Sequence, residues 1–241
     1  MLASIKDAFK LYKGNFLYVL LIGITVILPI QMLYTILVNY VSMPFYYFQI
    51  PLWPSAFQSV FMLMAVFIML IPLISLVIQY TRTGKVKAGK LYLDLLKNAF
   101  FIYLVSIPFS ILTTVGLLLF IIPGIILLVF FMGIPFVKVI EDESFKVVLK
   151  KSISFGKENF ISLCGLLLLF AAIDFIGTYL FSFLAIVFSG QMAVTNWTMM
   201  VVNMFLLPLF VFSIAKQYLD WNGEADLLHE DEYFQQLEQY R

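Results

Sequence analysis

The residue best suited to do chemistry in the apolar part of this sequence is Asp174, which lies in the stretch "LLLLFAAIDFIGTYL" at 166–180. Thr178 and Ser182 follow it at i+4 and i+8, so the three side chains are predicted to share one face of a helix. A carboxyl group with hydroxyls stacked beside it can hold a cation, carry a proton or join helices by hydrogen bonds.

Asp174 lies in an apolar run (160–188) that is long enough to cross a membrane, and its depth in that run limits its partners. It lies fourteen residues after Phe160, or about 21 Å along a helix, which is near the middle of a hydrocarbon core about 30 Å thick. An aspartate there costs about 3 kcal/mol, so we expect it to face other helices. The expected partners are Thr178, Ser182, water and Asn203 on a later helix, because no Lys or Arg occurs at that depth. A neutral, hydrogen-bonded acid and a cation or proton site both stay open as interpretations of this ligand-binding candidate.

Most catalytic chemistry lacks its residues in this chain. His229 is the only histidine and Cys164 the only cysteine, which excludes an HExxH zinc site and the histidine-bearing triads. Asp174 has no second carboxylate in the apolar runs with which to share a proton, and no glycine-rich phosphate loop occurs. The sequence therefore predicts no catalytic residue, no metal site, no cofactor and no enzyme.

The composition is that of a membrane protein. Of 241 residues, 63% are hydrophobic and 12% charged, whereas about a quarter are charged in soluble domains. Apolar runs long enough to span a bilayer cover 16–38, 56–78, 99–139, 160–188 and 197–215. The third run is long enough for two helices, with a turn expected at "IIPG" (121–124). We therefore expect an all-α bundle of six transmembrane helices arranged as three hairpins.

The charges predict the orientation of these helices. All fifteen Lys and Arg fall on one side of a six-span arrangement, and the opposite loops, 39–55, 121–124 and 189–196, carry no charge. The positive-inside rule then puts both termini in the cytoplasm. Residues 1–220 would form the membrane domain. Residues 221–241 would form an acidic cytoplasmic tail, either docked on the basic loops as a short helix or solvated.

A threefold pattern runs through the basic segments. "KLYKGNF", "LDLLKNAF" and "SFGKENF" each place a lysine and an asparagine before the aromatic residue that opens a span. Each unit is predicted to be an amphipathic helix followed by a hairpin. The expected membrane-surface lysines, which would bind anionic phospholipids at about 1 kcal/mol each, are Lys6, Lys10, Lys13, Lys146, Lys150 and Lys157. Ordinary positive-inside connectors remain the alternative.

Prolines recur in the predicted spans. Pro72, Pro135 and Pro208 lie in the second helix of each hairpin, and Pro29 and Pro108 interrupt the first helices of two hairpins. A proline removes a backbone donor and bends a helix. Such kinks can open a cavity between helices.

The segment 121–160 resembles a bacterial family pattern. The matching elements are Pro123-Gly124, Pro135, an acidic residue at Glu141 or Glu143, the stretch "LKKS" at 149–152, Gly156 and Asn159-Phe160. This pattern is similar to the membrane domain found ahead of glycerophosphodiester phosphodiesterase domains and to the related YciC-type envelope proteins. The resemblance implies a six-span bundle in the inner (plasma) membrane of a bacterium. It also implies that the phosphodiesterase chemistry belongs to a separate domain. The 25 residues after Lys216 are too few for that domain, which takes about 250.

Two functions from different classes follow from these features. The first is a non-catalytic bundle that binds or moves a lipid or another amphiphile between kinked hairpins. The second is a structural or regulatory scaffold that binds a protein partner or a second copy through its basic helices and acidic tail. A lipid-modifying enzyme is the third and least supported. No feature predicts a nucleic acid partner.

Overall fold

Helices make up almost all of the described part of the protein. A computed structural model describes residues 2–50 and 52–224, and these residues contain no strand. The α-helices are α1 (Leu2–Gly14), α2 (Phe16–Ile22), α3 (Leu28–Tyr47), α4 (Leu52–Thr83), α5 (Ala88–Leu119), α6 (Ile121–Met132), α7 (Ile134–Glu141), α8 (Phe145–Glu158), α9 (Phe160–Ser189) and α10 (Met192–Trp221). A π-helical turn (Gly23–Ile27) joins α2 to α3.

Six helical stretches are long and apolar enough to cross a bilayer. They are Phe16–Tyr47, Leu52–Thr83, Ala88–Leu119, Ile121–Glu141, Phe160–Ser189 and Met192–Trp221, called spans one to six below. The prediction of an all-α, multi-pass membrane bundle with six spans is confirmed.

The helices extend further than the sequence predicted. The expected loop at 39–55 is wrong, because α3 continues to Tyr47 and α4 begins at Leu52. The expected turn at 121–124 is also wrong, since the chain leaves helical geometry only at Phe120 and these four residues form the first turn of α6. Pro123 fits there because the first backbone N–H groups of a helix have no intrahelical partner.

Packing is uneven along the bundle. At one end, hereafter the basic end, α1, α8 and the adjoining ends of α4, α5, α7 and α10 meet. There the core is continuous, with residues 69–79 of α4 and 211–215 of α10 all buried. Toward the other end, hereafter the opposite end, α3 buries only Val38 and Ser42, and the fully buried residues of α9 are Leu163 and Leu166 near its start. The spans are thus tightly packed at the basic end and spread apart at the opposite end.

Span one contains a π-helical turn between α2 and α3. Pro29 has no N–H to donate to the carbonyl four residues back, and just before it the Leu28 N–H bonds to the Gly23 carbonyl, five residues back. At this turn the span lies against α10, because a Cβ atom built on Gly23 would be 2.6 Å from Cγ of Met204. Beyond the turn, α3 packs mainly on α4.

The three repeated asparagines share one geometry. Asn15, Asn98 and Asn159 each donate from Nδ2 to the backbone oxygen four residues back, at 3.1, 3.0 and 3.2 Å.

The contacts between helices do not by themselves support the division into three hairpins. The most extensive helix contact joins α4 to α5, which belong to two different predicted hairpins. The second basic segment also forms the first turns of α5 rather than a helix of its own. The hairpin arrangement stays a prediction.

The two short basic helices place their lysines on the surface. Lys6, Lys10 and Lys13 of α1 and Lys146, Lys150 and Lys157 of α8 are all exposed. The buried side chains of α1 are Ser4, Ala8 and Leu11, and this helix packs against α10. The contact of these six lysines with anionic lipid stays a prediction.

The orientation of the bundle can be tested with single cysteines in a Cys164→Ser background. Cysteines replacing Met43 and Met192, which are 71% and 78% exposed at the opposite end, should react with an impermeant thiol reagent on intact cells. A cysteine replacing the exposed Lys85 should react only after permeabilisation, since the basic end is expected to face the cytoplasm. Labelling of the Lys85 variant alone on intact cells would show the inverted orientation.

Candidate functional sites: the Asp174 stripe, the Glu141 junction and a lateral cleft

The predicted acidic stripe lies on the face of α9 that meets α10. Asp174, Thr178 and Ser182 are half-buried, whereas their neighbours Phe175 and Tyr179 are exposed. The Thr178 hydroxyl lies within reach of the Asp174 carboxyl. Asp174 Oδ1 and Ser182 Oγ are covered but have no hydrogen-bond partner in the described part of the chain. The structure therefore brings three of the four predicted residues together.

Asn203 is the predicted residue that does not join this stripe. It is half-buried on α10, and no hydrogen bond links it to Asp174 in the described structure. In its second half, the stripe has α10 as its packing partner: a Cβ atom built on Gly177 would be 3.6 Å from Cγ1 of Val202. The role of the stripe in ligand binding stays a prediction.

A second polar group, which the sequence did not single out as a site, joins three elements at the basic end. The Glu141 carboxylate at the end of α7 accepts hydrogen bonds from Lys151 Nζ of α8 and from the Tyr218 hydroxyl of α10. The Glu141 side chain is only 11% exposed, and Tyr218 is fully buried. These three residues are called the Glu141 junction below.

A break in span four brings α8 close enough to form this junction. Span four is interrupted at Gly133, and a Cβ atom built there would lie 2.8 Å from Ser152 Oγ of α8. The Ser152 hydroxyl donates to the Phe130 carbonyl at 2.6 Å, in the last turn of α6, where carbonyls lack helical partners. Gly156 makes the second close approach, since its Cβ would lie 2.9 Å from Phe130 Cα. Glycine at both positions lets the helices cross with Lys151 beside Glu141.

Aromatic rings pack beside the Glu141 junction. The Phe155 ring lies 5.1 Å from the Tyr218 ring and 5.5 Å from the Trp221 ring, between centroids. Trp221 Nε1 donates to Glu158 at 2.8 Å, and this bond, together with that from Ser154, holds the pKa of the Glu158 carboxyl below its usual value. The end of α10 is thereby attached to α8.

Ion pairs surround the junction. Arg82 at the end of α4 makes a two-pronged contact with Glu224, with Nη2 at 2.8 Å from Oε1 and Nε at 3.1 Å from Oε2. Asp142, in left-handed geometry after α7, accepts from Lys97 at 2.5 Å and Lys138 at 2.9 Å. These two hydrogen bonds hold the pKa of the Asp142 carboxyl below its usual value. Apart from the turn that ends in Glu224, the predicted acidic tail lies outside the described residues.

A lateral cleft separates span one from span six near the opposite end. It is a shallow, open groove of about 220 Å³, lined by Met32, Thr35 and Ile36 of α3 and by Ala193, Asn196, Trp197 and Met200 of α10. Its walls are mostly apolar, with hydroxyl, amide and indole groups among them. Such a mixture is typical of sites for amphiphilic ligands.

One polar pattern in the sequence could have predicted helix contacts at the basic end. Spans two and six both carry a serine followed four residues later by Gln-Tyr: Ser75 before Gln79-Tyr80, and Ser213 before Gln217-Tyr218. Both glutamines bond across helices: Gln79 accepts from the Lys87 N–H at 2.9 Å, and Gln217 donates to Asn159 Oδ1 at 3.2 Å. A polar pair at equal spacing in two apolar spans indicates shared polar contacts at this depth.

The Glu141 junction predicts a specific loss of stability. Glu141→Gln should lower the free energy of unfolding by about 1–3 kcal/mol, because the Lys151 ammonium loses its counter-charge and the hydrogen bonds from Lys151 and Tyr218 weaken. Thermal unfolding of the purified protein in detergent measures this. The matched control is Glu143→Gln, an exposed carboxylate two residues away. Equal unfolding temperatures for both variants and the wild type would contradict the role of the junction.

Known proteins add no identification. The chain matches no protein-family model, no curated protein and no solved structure. The resemblance of segment 121–160 to the phosphodiesterase-associated membrane domain therefore rests on its own residues and stays a prediction.

Proposed function

We propose that this protein is a non-catalytic membrane protein that binds a phospholipid or a closely related amphiphile in the lateral cleft between spans one and six. The cleft is the observation that carries the proposal. Met32, Ile36 and Met200 offer apolar surface to an acyl chain. Asn196 and Trp197 offer N–H donors, which phosphate and ester oxygens accept.

The depth of the cleft supports a lipid rather than a soluble ligand. Thr35 lies nineteen residues after Phe16, or about 28 Å along the span, near the far boundary of a core about 30 Å thick. Trp197 lies five residues after the start of α10, where indole rings commonly meet the headgroup region. A lipid bound there would place its chain between α3 and α10 and its headgroup beside Asn196 and Trp197.

The π-helical turn in span one supports lateral entry. Below the π-helical turn, Val19 and Ile22 are buried against the bundle, whereas α3 beyond it is largely exposed. Pro29 removes one backbone N–H donor where α2 and α3 meet. A change in the angle between these two parts would widen or narrow the cleft.

A scaffold is the second candidate function, favoured by the contact between Arg82 and Glu224. This pair attaches the first residues of the acidic tail to the end of α4, beside a surface of exposed lysines. In this account the basic end faces the cytoplasm of a bacterium and contacts anionic phospholipids, and the tail region engages a protein partner. The two functions use opposite ends of the bundle.

Filling the cleft tests the lipid proposal. Ala193→Trp adds an indole among the cleft-lining residues and should reduce the phospholipid that co-purifies with the protein by at least about threefold, since the added ring occupies the volume of the chain. Native mass spectrometry of the protein released from mild detergent measures the bound lipid.

The matched control is Ala172→Trp, an exposed position on α9 away from the cleft, which should leave bound lipid unchanged. Equal lipid retention by the two variants, both folded to the same extent, would contradict the proposal.

A further inference from the structure

The lateral cleft is far from the basic residues of the helices that form it. Its two walls belong to the stretches 14–81 and 175–215, which contain no Lys, Arg, His, Asp or Glu. Along α10 the first charge after the cleft is Lys216, sixteen residues beyond Met200 or about 24 Å along the helix. That distance is about three Debye lengths at physiological ionic strength, so this lysine cannot neutralise a ligand in the cleft. Asp174 of the neighbouring α9 is an acid and supplies no positive charge.

The cleft offers both hydrogen-bond donors and acceptors. Asn196 is exposed and Trp197 is 49% exposed, so the amide N–H groups of the first and the indole N–H of the second can donate to a ligand. The Thr35 hydroxyl donates its proton to the Gln31 backbone oxygen at 2.8 Å, which leaves its lone pairs as acceptors. The amide oxygen of Asn196 is a second acceptor, and the face of the Trp197 ring attracts cations.

We propose that the occupant of the cleft is a zwitterionic phospholipid, which carries an ammonium group beside its phosphate. This inference rests on the lipid binding proposed above and names the class of headgroup. The phosphate oxygens would accept from Asn196 and Trp197, and the ammonium would lie against the Trp197 ring and the lone pairs of Thr35. Such a headgroup brings its own counter-charge, so the uncharged cleft does not have to provide one.

An anionic phospholipid has no matching partner in the cleft. Its net negative charge would move into a partly apolar groove that has no basic side chain, and an unpaired charge is costly to remove from water. The exposed lysines at which we predict anionic lipid lie at the basic end, on α1 and α8. The two classes of phospholipid would therefore bind at opposite ends of the bundle.

Competition between two lipids with identical acyl chains tests the headgroup class. The purified full chain in mild detergent is equilibrated with equal amounts of dioleoyl phosphatidylethanolamine and dioleoyl phosphatidylglycerol, and bound lipid is counted by native mass spectrometry. The lipid that the wild type retains and Ala193→Trp loses is the cleft lipid. In it, phosphatidylethanolamine should exceed phosphatidylglycerol by roughly two- to fivefold, the ratio that a cation–π contact at an exposed site supplies.

Replacing the indole separates headgroup selection from binding of the acyl chain. Trp197→Leu keeps apolar surface in the cleft but removes the ring and its N–H, so Ala193→Trp added to this variant should remove the two lipids in equal amounts. The matched control is Trp53→Leu, which removes an indole of α4 that is 50% exposed and does not line the cleft. This control should keep the preference for phosphatidylethanolamine.

Three outcomes would overturn the inference. Equal loss of the two lipids when the cleft of the wild type is filled, or a larger loss of phosphatidylglycerol, would contradict the headgroup class and leave lipid binding itself intact. A preference that persists in full in Trp197→Leu would contradict the contact between the ammonium and the ring. Retention of both lipids by Ala193→Trp at the level of Ala172→Trp is a different result, which would contradict the proposed function and this inference with it.

Discussion

The Glu141 carboxylate is the group on which the basic end of the bundle depends. It joins α7 to Lys151 of α8 and to Tyr218 of α10, and these contacts form where the break at Gly133 lets α8 cross span four. Charges and hydrogen-bonding groups are costly in hydrocarbon, so they collect at an end of the spans and must satisfy one another there. Around Glu141 they do so, and the helices that carry them are held together.

The opposite end has few such contacts between polar groups. The bundle is therefore tightly packed at the basic end and less tightly packed at the opposite end. Outside the basic end, α3 and α9 present mostly apolar side chains to their surroundings, and lipid tails compete with neighbouring helices for that surface. The cleft beside Trp197 lies at this less tightly packed end. The lipid binding that we propose there and the polar contacts at the basic end would both follow from the uneven distribution of polar residues along the spans.

The sequence predicted the features that depend on composition along the chain. Six spans follow from the lengths of apolar runs, and the exposed lysines follow from their clustering in short segments. The helix ends around 39–55 were missed because Pro44 and the aromatic residues near it are typical of loops, yet α3 continues through them. The Glu141 junction was missed because Tyr218 lies 77 residues after Glu141 and because Lys151 reaches Glu141 only through the close helix contacts at Gly133 and Gly156. The hydrogen bond from Ser75 of α4 to Asp94 of α5 depends on how far these two helices are shifted along each other. No local sequence pattern determines that shift.

Distances between spin labels test the central claim, a fixed basic end and a spread opposite end, most directly. In a Cys164→Ser background, labels replacing Lys13 on α1 and Lys146 on α8 report on the basic end. Labels replacing Tyr40 on α3 and Val187 on α9, which are 79% and 61% exposed, report on the opposite end. Pulsed electron paramagnetic resonance in lipid nanodiscs should give a narrow distance distribution for the first pair and a broad one for the second. An equally narrow distribution for the second pair would contradict the account.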